Sequence, residues 1–236
     1  MPVRTIIQNS AYTICLCLIL LVSCKDGIFK SGVQEGEIEF EVSYPSLAED
    51  HLMMDLLPKK MECTFSKGYF RNEITAGMGL FRSAIVYQEQ DQHLYHTVKL
   101  LNKKIYAELD NADILSLNEG FNGLVIEETG KRKEIAGYKC KEVKVEVPGD
   151  SSWVFNAYYT NEINIPNANF RNPFHEIDGV LMEYDILSND LHMHFKAVNV
   201  NATEVDEKDI RISEDYTEVS SSELREELES IFNKVK

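Results

Sequence analysis

The sequence predicts a mainly β (α+β) protein, in which a large antiparallel sheet curls into an unclosed β-barrel with an early helix and a C-terminal helix. Short segments of alternating apolar and polar side chains recur from residue 38 to residue 197, separated by glycine, proline and asparagine. Strands and helices do not alternate regularly, as they do in proteins built on a parallel sheet. Two longer stretches, residues 46–57 and 222–236, have apolar side chains at helical spacing.

The first strand is predicted over residues 38–44, where apolar side chains alternate with polar ones and so form one apolar face. Pro45 ends this strand. Ser46 and Glu49 have the spacing of a capping box, the side-chain pair that satisfies free backbone N–H groups at a helix start. A helix is therefore predicted over residues 46–57.

Most of the middle of the chain is predicted to form short amphipathic strands. They cover residues 61–65, 69–75, 80–88, 92–100, 103–109, 138–147 and 152–160. Residues 124–128 and 131–135 are predicted to pair as a hairpin about residues 129–130. A brief helical turn is predicted over residues 111–118. Residues 161–175, which are rich in asparagine and contain two prolines, are predicted to form a loop.

Two more strands and a final helix complete the predicted domain. The strands cover residues 180–186 and 191–197, with turn-forming residues between them. An acidic linker follows, and Ser220 with Glu223 repeats the capping-box spacing. The amphipathic helix is predicted over residues 222–236.

Residues 1–23 are predicted to be a signal peptide. Arg4 supplies a positive charge, and the apolar run over residues 11–22 is about a dozen residues long, whereas a membrane-spanning helix needs roughly 20. The segment Leu21-Val22-Ser23-Cys24 resembles a bacterial lipobox, in which the cysteine receives diacylglycerol before the chain is cut in front of it. The alternative is an uncleaved anchor helix, which the polar side chains of residues 8–9 disfavour.

Cys24 is thus predicted to become the lipidated first residue of the mature chain. Residues 24–35 are predicted to be a tether, and residues 36–236 a single β-rich domain. Several acyl chains would hold this domain on a membrane, since each buried methylene contributes about 0.8 kcal/mol.

The charge of the chain excludes two classes of partner. The formal net charge is −15, and Arg4 is the single charged side chain of residues 1–23, so the mature chain is still more acidic. Such a surface repels nucleic acid and anionic headgroups. Contact with the membrane is therefore expected to come from the lipid on Cys24.

Cys63 and Cys140 are the cysteines that remain available after processing. An even pair in an exported, oxidising compartment favours a disulfide, which would add about 4 kcal/mol in the chain-entropy model. The alternative is two separate buried thiols that behave as small apolar side chains. Because the mature chain has no C-x-x-C spacing, neither thiol redox catalysis nor a zinc–thiolate site is expected.

The histidines give weak indications of chemistry. His192 and His194 point the same way on one strand, and two imidazoles suit zinc or copper. However, the apolar side chains of residues 191, 193 and 195 take the core face, so both histidines are expected to be solvated and no metal is expected. His96 shares a face with apolar side chains and is expected to be a hydrogen-bonded or rim histidine.

No motif of a known catalytic site occurs in the chain. It lacks a G-x-S-x-G turn, a phosphate-binding glycine loop and an H-E-x-x-H helix. The expectation is therefore a protein without enzymatic activity and without a cofactor.

Seven large side chains would project to the concave side if the sheet curls. They are Phe40, Tyr44, Trp153, Phe155, Tyr159, Met182 and Tyr184. They would form either an ordinary core or a pocket for an apolar ligand, since such pockets are concave and lined by aromatic side chains.

Three functions follow, in order of preference. The first is a lipoprotein whose half-barrel binds an apolar molecule or a lipidated client, with the helix at 46–57 as a lid. The second is a scaffold with a filled core that presents an acidic surface to another envelope protein. The third is a hydrolase or metal enzyme in which His192 and His194 converge with carboxylates.

Three stretches resemble uncharacterised exported lipoproteins of Gram-negative bacteria. They are residues 133–141 (KEIAGYKCK), 157–163 (AYYTNEI) and 212–219 (ISEDYTEV). The order of elements over residues 36–220 is also similar to the unclosed β-barrel of outer-membrane lipoprotein carriers and receptors, which cups acyl chains. The resemblance implies this fold and a location in the cell envelope, anchored to a membrane, with the outer membrane preferred to the inner.

Overall fold

The computed structural model describes residues 32–48, 54–149, 153–188 and 191–233. They belong to one compact unit that spans residues 32–236. The predicted signal peptide, Cys24, most of the tether and the middle of the predicted early helix lie outside the described residues.

The described residues form a mainly β protein, which confirms the predicted fold class. They contain twelve strands: β1 (Glu35–Ser43), β2 (Lys60–Ser66), β3 (Tyr69–Ala76), β4 (Phe81–Gln88), β5 (His93–Leu100), β6 (Lys103–Glu108), β7 (Val125–Ile135), β8 (Tyr138–Val147), β9 (Trp153–Thr160), β10 (Val180–Ser188), β11 (Leu191–Asn201) and β12 (Thr217–Glu218).

All twelve strands belong to one open sheet. Their order is β12-β6-β5-β4-β3-β2-β1-β11-β10-β9-β8-β7, so β12 and β7 are the edges. Neighbouring strands are antiparallel except β12 and β6, which are parallel. One cluster of buried side chains joins strands β1–β5 with β8, β10 and β11, so the sheet curls around a shared core.

Strand β1 lies in the middle of the sheet, between β2 and β11. Its apolar residues Ile38, Phe40 and Val42 are buried, and the glutamates between them are not, as the alternation predicted. Gly36 lets β11 approach closely: a Cβ at this position would lie 2.3 Å from the carbonyl oxygen of Asn201.

Three helices occur among the described residues. They are α1 (Asn111–Leu117), α2 (Glu207–Ile210) and α3 (Ser221–Asn233). Helix α1 starts with a capping box, in which Asp110 accepts from the Asp113 backbone N–H at 2.9 Å and Asp113 accepts from the Asp110 backbone N–H at 3.0 Å. At α3 the Ser220 hydroxyl accepts from the Glu223 backbone N–H at 3.2 Å, as predicted.

The predicted early helix over residues 46–57 is wrong at both of its ends. Residues 45–47 and 54–57 form turns and bends, and residues 49–53 lie outside the described residues. A helix of that length would separate its ends by about 17 Å. Instead, the Tyr44 hydroxyl donates to the Pro58 carbonyl at 2.7 Å, because β1 and β2 are adjacent and the connection must return.

Two other predictions need correction. The hairpin predicted about residues 129–130 is one continuous strand, β7, with a shift of register between Glu128 and Arg132. The acidic linker contains the single turn of α2, and the short strand β12 was not predicted. The helical turn at residues 111–118 and the loop at residues 161–175 are confirmed by α1 and by the irregular chain between β9 and β10.

Candidate functional site

Three of the predicted pocket residues lie in the main core. Phe40, Tyr44 and Met182 are buried, with exposed fractions of 3%, 4% and 0%. Tyr184, which packs beside them, meets the Phe40 ring edge-on at 6.1 Å between centroids and stacks on Phe195 at 5.1 Å. These side chains therefore fill space rather than line it.

The other three belong to a second aromatic cluster. Tyr159 is buried, and Trp153 and Phe155 pack at the border of this cluster, with 4.5 Å between their ring centroids. Phe174 belongs to the loop between β9 and β10. Its ring packs edge-on against Phe155, with 6.3 Å between ring centroids. The start of β9 is not paired with β10. The Phe174 ring is also close to Tyr184 of β10, with 5.9 Å between ring centroids.

The loop of residues 161–179 also reaches the opposite part of the sheet. The Asn167 side chain donates to the Tyr87 hydroxyl of β4 at 3.0 Å. Phe170 lies 5.0 Å from the Tyr87 ring. This loop therefore fills much of the interior that an unclosed barrel would leave open.

A different part of the core side is only partly buried. Cross-strand pairing across β2–β6 aligns two rows of side chains: Cys63, Asn72, Ile85, His96 and Ala107 in one, and Met61, Ile74, Ser83, Val98 and Ile105 in the other. The residues at the row ends are buried, whereas five in the middle keep accessible surface. We call these five the β3–β5 patch: Asn72, Ile74, Ser83, Ile85 and His96.

The β3–β5 patch lies on the same side of the sheet as the main core. Phe70, Tyr87 and Leu94, its neighbours on β3, β4 and β5, are buried core residues. Ile74 and Ile85 are half-buried and pack against the main core, and the three polar residues of the patch keep some accessible surface. A partly accessible region of this kind, apolar with a few polar groups, has the composition of a ligand site.

The polar centre of the patch is a serine–histidine pair. Ser83 Oγ lies 2.8 Å from His96 Nε2, a hydrogen-bond distance. Burial lowers the pKa of His96 to about 4, and the nearby charge of Asp113 opposes this effect. The imidazole is therefore neutral at pH 7 and can both donate and accept a hydrogen bond.

Apolar side chains from other elements pack against the same core. Ile114 of α1 and both Met54 and Leu57 of the β1–β2 connection are half-buried and pack against the main core. Leu191 and Met193 of β11 do the same. The connection that was predicted to be a helical lid thus contributes apolar side chains to the core in its described part.

His192 and His194 meet a shared carboxylate. Asp185 Oδ1 lies 2.9 Å from His192 Nε2 and 3.0 Å from His194 Nδ1. His192 also meets the Trp153 ring edge-on, with 5.0 Å between ring centroids. Both histidines are half-buried, whereas the sequence predicted that they would be solvated. Within the described ranges, no group of three or more histidine, cysteine or acidic side chains could hold a metal ion.

Cys63 and Cys140 are free thiols, and both are buried. Burial raises the pKa of the Cys63 thiol to about 12 and that of Cys140 to about 11. Neither forms a thiolate at neutral pH, so both behave as small apolar groups of the core. This arrangement corresponds to the second of the two alternatives for the cysteine pair.

A shallow groove lies on the outside of the second cluster. It has a volume of about 240 Å³ and is lined by residues 118, 121–124, 126, 172, 173, 175 and 176. Pockets for drug-sized ligands hold about 300–1,000 Å³. The groove is therefore smaller than a typical pocket for a drug-sized ligand.

The sequence indicated His96 but not its partners. The alternation of β5 placed His96 on the apolar face, and this is where the structure places it. Ser83 and Asn72 carried no motif, because their role depends on the register of three strands. The signal that could have identified them is a polar residue that interrupts the apolar face of a predicted strand.

Comparison with known proteins gives no assignment. No protein-family model matches the sequence, and no curated protein shows significant similarity to it. The resemblance to exported lipoproteins thus stays a prediction. Among the helices of the described residues, none combines the length and the apolar character needed to cross a membrane.

Proposed function

We propose that this chain is a non-enzymatic envelope lipoprotein, anchored through Cys24, whose unclosed barrel holds an apolar ligand such as an acyl chain or the lipid of a client protein. The observation that carries the proposal is the β3–β5 patch. Its half-buried isoleucines lie on the core side of the sheet, where they pack against the main core beside a neutral polar pair that keeps accessible surface.

The size of the ligand follows from the energetics of burial. Each buried methylene contributes about 0.8 kcal/mol, so about ten methylenes contribute roughly 8 kcal/mol. Association itself costs about 4–15 kcal/mol in lost freedom of motion. A long acyl chain therefore offsets this cost better than a short one.

The test is native mass spectrometry of residues 25–236, purified without detergent. These residues include the whole compact unit of the fold. The native spectrum should contain extra mass that disappears on denaturation. A bare native mass, together with no binding of a hydrophobic dye, would contradict the proposal.

A matched pair of variants locates the ligand. Ile85→Phe places a larger side chain in the β3–β5 patch and should remove the extra mass. Val154→Phe makes a similar change on β9, where the side chain is 47% exposed, and should keep it. Equal loss in both variants would place the ligand elsewhere.

A second function is favoured by the outer face of β1–β3. Glu39, Glu62 and Glu73 are aligned across these strands. Burial raises the pKa of Glu62, and the charges of Glu37, Glu73 and Glu39 add to this effect. Glu39 pairs with Lys60, and Glu73 pairs with Arg71 and Arg82, so Glu62 is the carboxylate that a basic surface of an envelope protein would neutralise. Crosslinking in cells should then capture a partner with the wild type and lose it with Glu62→Lys.

A further inference from the structure

The β3–β5 patch contains polar groups but little charge. Ser83 and His96 form a hydrogen-bonded pair, and Asn72 lies in the same row as His96, on the other side of Ile85. The side chains next to them are apolar, among them Ile74 and Val98. A ligand that binds at this patch would therefore meet hydrogen-bonding groups among the apolar side chains.

The cations near the patch lie on the other face of the sheet or are already paired. Arg71 and Glu73 flank Asn72 in β3, so they point to the opposite face, where they pair at 2.6 Å. Arg82 of β4 joins the same glutamate at 3.3 Å. Lys99 of β5 follows the core-facing Val98, so it also lies on the opposite face of the sheet.

A negative charge acts on the patch from the core side. Asp113 of α1 is buried and acts on His96 through its charge. Arg225 of α3 forms an ion pair with Asp113 and is thus occupied. Among the described residues, no free cation faces the patch, and the neutral imidazole of His96 supplies none.

A charged ligand group would be poorly received here. A carboxylate or phosphate that leaves water needs a cation or several strong donors to replace its hydration. The patch offers one hydroxyl, one imidazole and one amide, with a carboxylate nearby. An ester or hydroxyl group needs only one or two hydrogen bonds, which this set can provide.

We infer that the ligand presents an uncharged hydrogen-bonding group, an ester or a hydroxyl, to Ser83 and His96, and that lipids with a carboxylate or phosphate at this end are rejected. This inference rests on the proposed function, since it names the chemical class of ligand for the same site. It predicts neutral lipids, rather than free fatty acids, as the bound molecules.

The experiment compares three probes with the same C16 chain: hexadecanol, methyl palmitate and palmitate. Residues 25–236 are stripped of bound lipid, and each probe displaces a hydrophobic dye at pH 8, below its aggregation concentration. The alcohol and the ester should displace the dye at concentrations at least about tenfold lower than palmitate does. The reason is that they gain a hydrogen bond at the patch, whereas the palmitate carboxylate would be left without a cation.

Two variants identify the groups responsible. Ser83→Ala and His96→Phe should each weaken binding of the alcohol by about tenfold. Neither should change binding of hexadecane, which has no polar group. Circular dichroism confirms that the variants are folded.

The outcomes separate this inference from the proposed function. Displacement of the dye by no probe would refute the proposed function itself. Displacement by all three probes with equal strength, or best by palmitate, would leave the proposed function intact and overturn the inference. A preference for the alcohol and ester that survives both substitutions would also overturn it, because other residues would then be responsible.

Discussion

Asp185 is the residue on which two histidines depend. Its Oδ1 atom lies 2.9 Å from His192 Nε2 and 3.0 Å from His194 Nδ1. The hydrogen bond to Asp185 raises the pKa of His194, whereas burial opposes this effect. Burial also acts to raise the pKa of Asp185, but the hydrogen bonds from His194 and His192 outweigh it and lower that pKa overall. Glu183 and Lys196 are the other charges that act on His194.

These shifts predict a stability that depends on pH. The His194 contribution is complete below its unfolded pKa of about 6.5 and is lost as the pH rises through the raised folded value. The Asp185 contribution is complete above its unfolded pKa of about 3.9 and is lost as the pH falls through the lowered folded value. The pair therefore stabilises the fold most between about pH 4 and pH 6.5.

We predict that His194→Gln lowers the free energy of unfolding by about 1 kcal/mol at pH 5.5 and by much less at pH 9. Urea unfolding followed by circular dichroism at the two pH values measures the difference. His175→Gln, at an exposed loop histidine, is the control and should have the same small effect at both. An equal loss at both pH values for His194→Gln would show that the ion pair does not form.

Side-chain spacing predicted part of this cluster. The His-x-His pattern placed His192 and His194 on one face of a strand, and both contact the same carboxylate. The sequence could not supply Asp185, because its position opposite His194 depends on the register between β10 and β11. For the same reason, the sequence could not predict the contact between Ser83 and His96. Strand alternation determines the face on which a residue lies, but only strand pairing determines its neighbours.

Helix α3 is the element that covers the core side of β5 and β6. Leu224 is 3% exposed and packs with Val98 and Ile105. Beside this contact, Arg225 of the same helix forms an ion pair with Asp113 of α1. One turn of α3 thus contacts both the sheet and α1.

Replacement of Leu224 by alanine tests this contact. Leu224→Ala should lower the free energy of unfolding by about 2–4 kcal/mol, since it removes buried methylenes and leaves a cavity. Thermal unfolding followed by circular dichroism measures the loss. Glu226→Ala, at an exposed position on the same helix, should change stability by less than about 0.5 kcal/mol. A loss in Leu224→Ala as small as in this control would mean that α3 is not part of the folded unit.

The wrong hairpin in β7 has a physical explanation. Residues 129–130 combine threonine and glycine, which is a turn signal, and Gly130 does adopt a positive φ of 74°. However, β8 is a long continuous strand, and the Thr129 hydroxyl donates to the Glu142 side chain across the pair at 2.8 Å. The irregularity is absorbed as a shift of register within one strand, because pairing along β8 outweighs the local turn preference.

At the scale of the molecule, the sequence predicted the class of fold better than its interior. Alternation in about ten segments required a large amphipathic sheet, and the absence of regular helices required mostly antiparallel pairing. Which aromatic side chains fill the interior could not be predicted. Phe170 and Phe174 come from a loop without periodicity, yet they occupy space beside Tyr87 and Phe155.

The exposed edge of the sheet also bears on the whole molecule. Strand β7 is an edge with several charged residues, among them Glu127, Glu128, Lys131 and Arg132, and these four are exposed. Charges on an edge strand prevent pairing with a second sheet. These charges therefore protect the edge of the sheet against pairing with a second copy of the chain.

The attachment of the whole molecule to a membrane is predicted to depend on one residue outside the described ranges, Cys24. With the signal peptide cleaved, several acyl chains on Cys24 would anchor the chain essentially permanently, whereas a single chain gives only marginal binding. Cys24→Ser should therefore move the protein from the membrane fraction to the soluble fraction or leave it as the uncleaved precursor, and it should abolish labelling by radioactive palmitate. Fractionation, labelling and the mass of the product are measured together.

A Cys24→Ser protein that stays in the membrane at the same mass as the wild type, with both lacking label, would favour the uncleaved anchor helix. A loss of label with a retained, longer chain would still support lipidation, because lipid addition precedes cleavage at a lipobox.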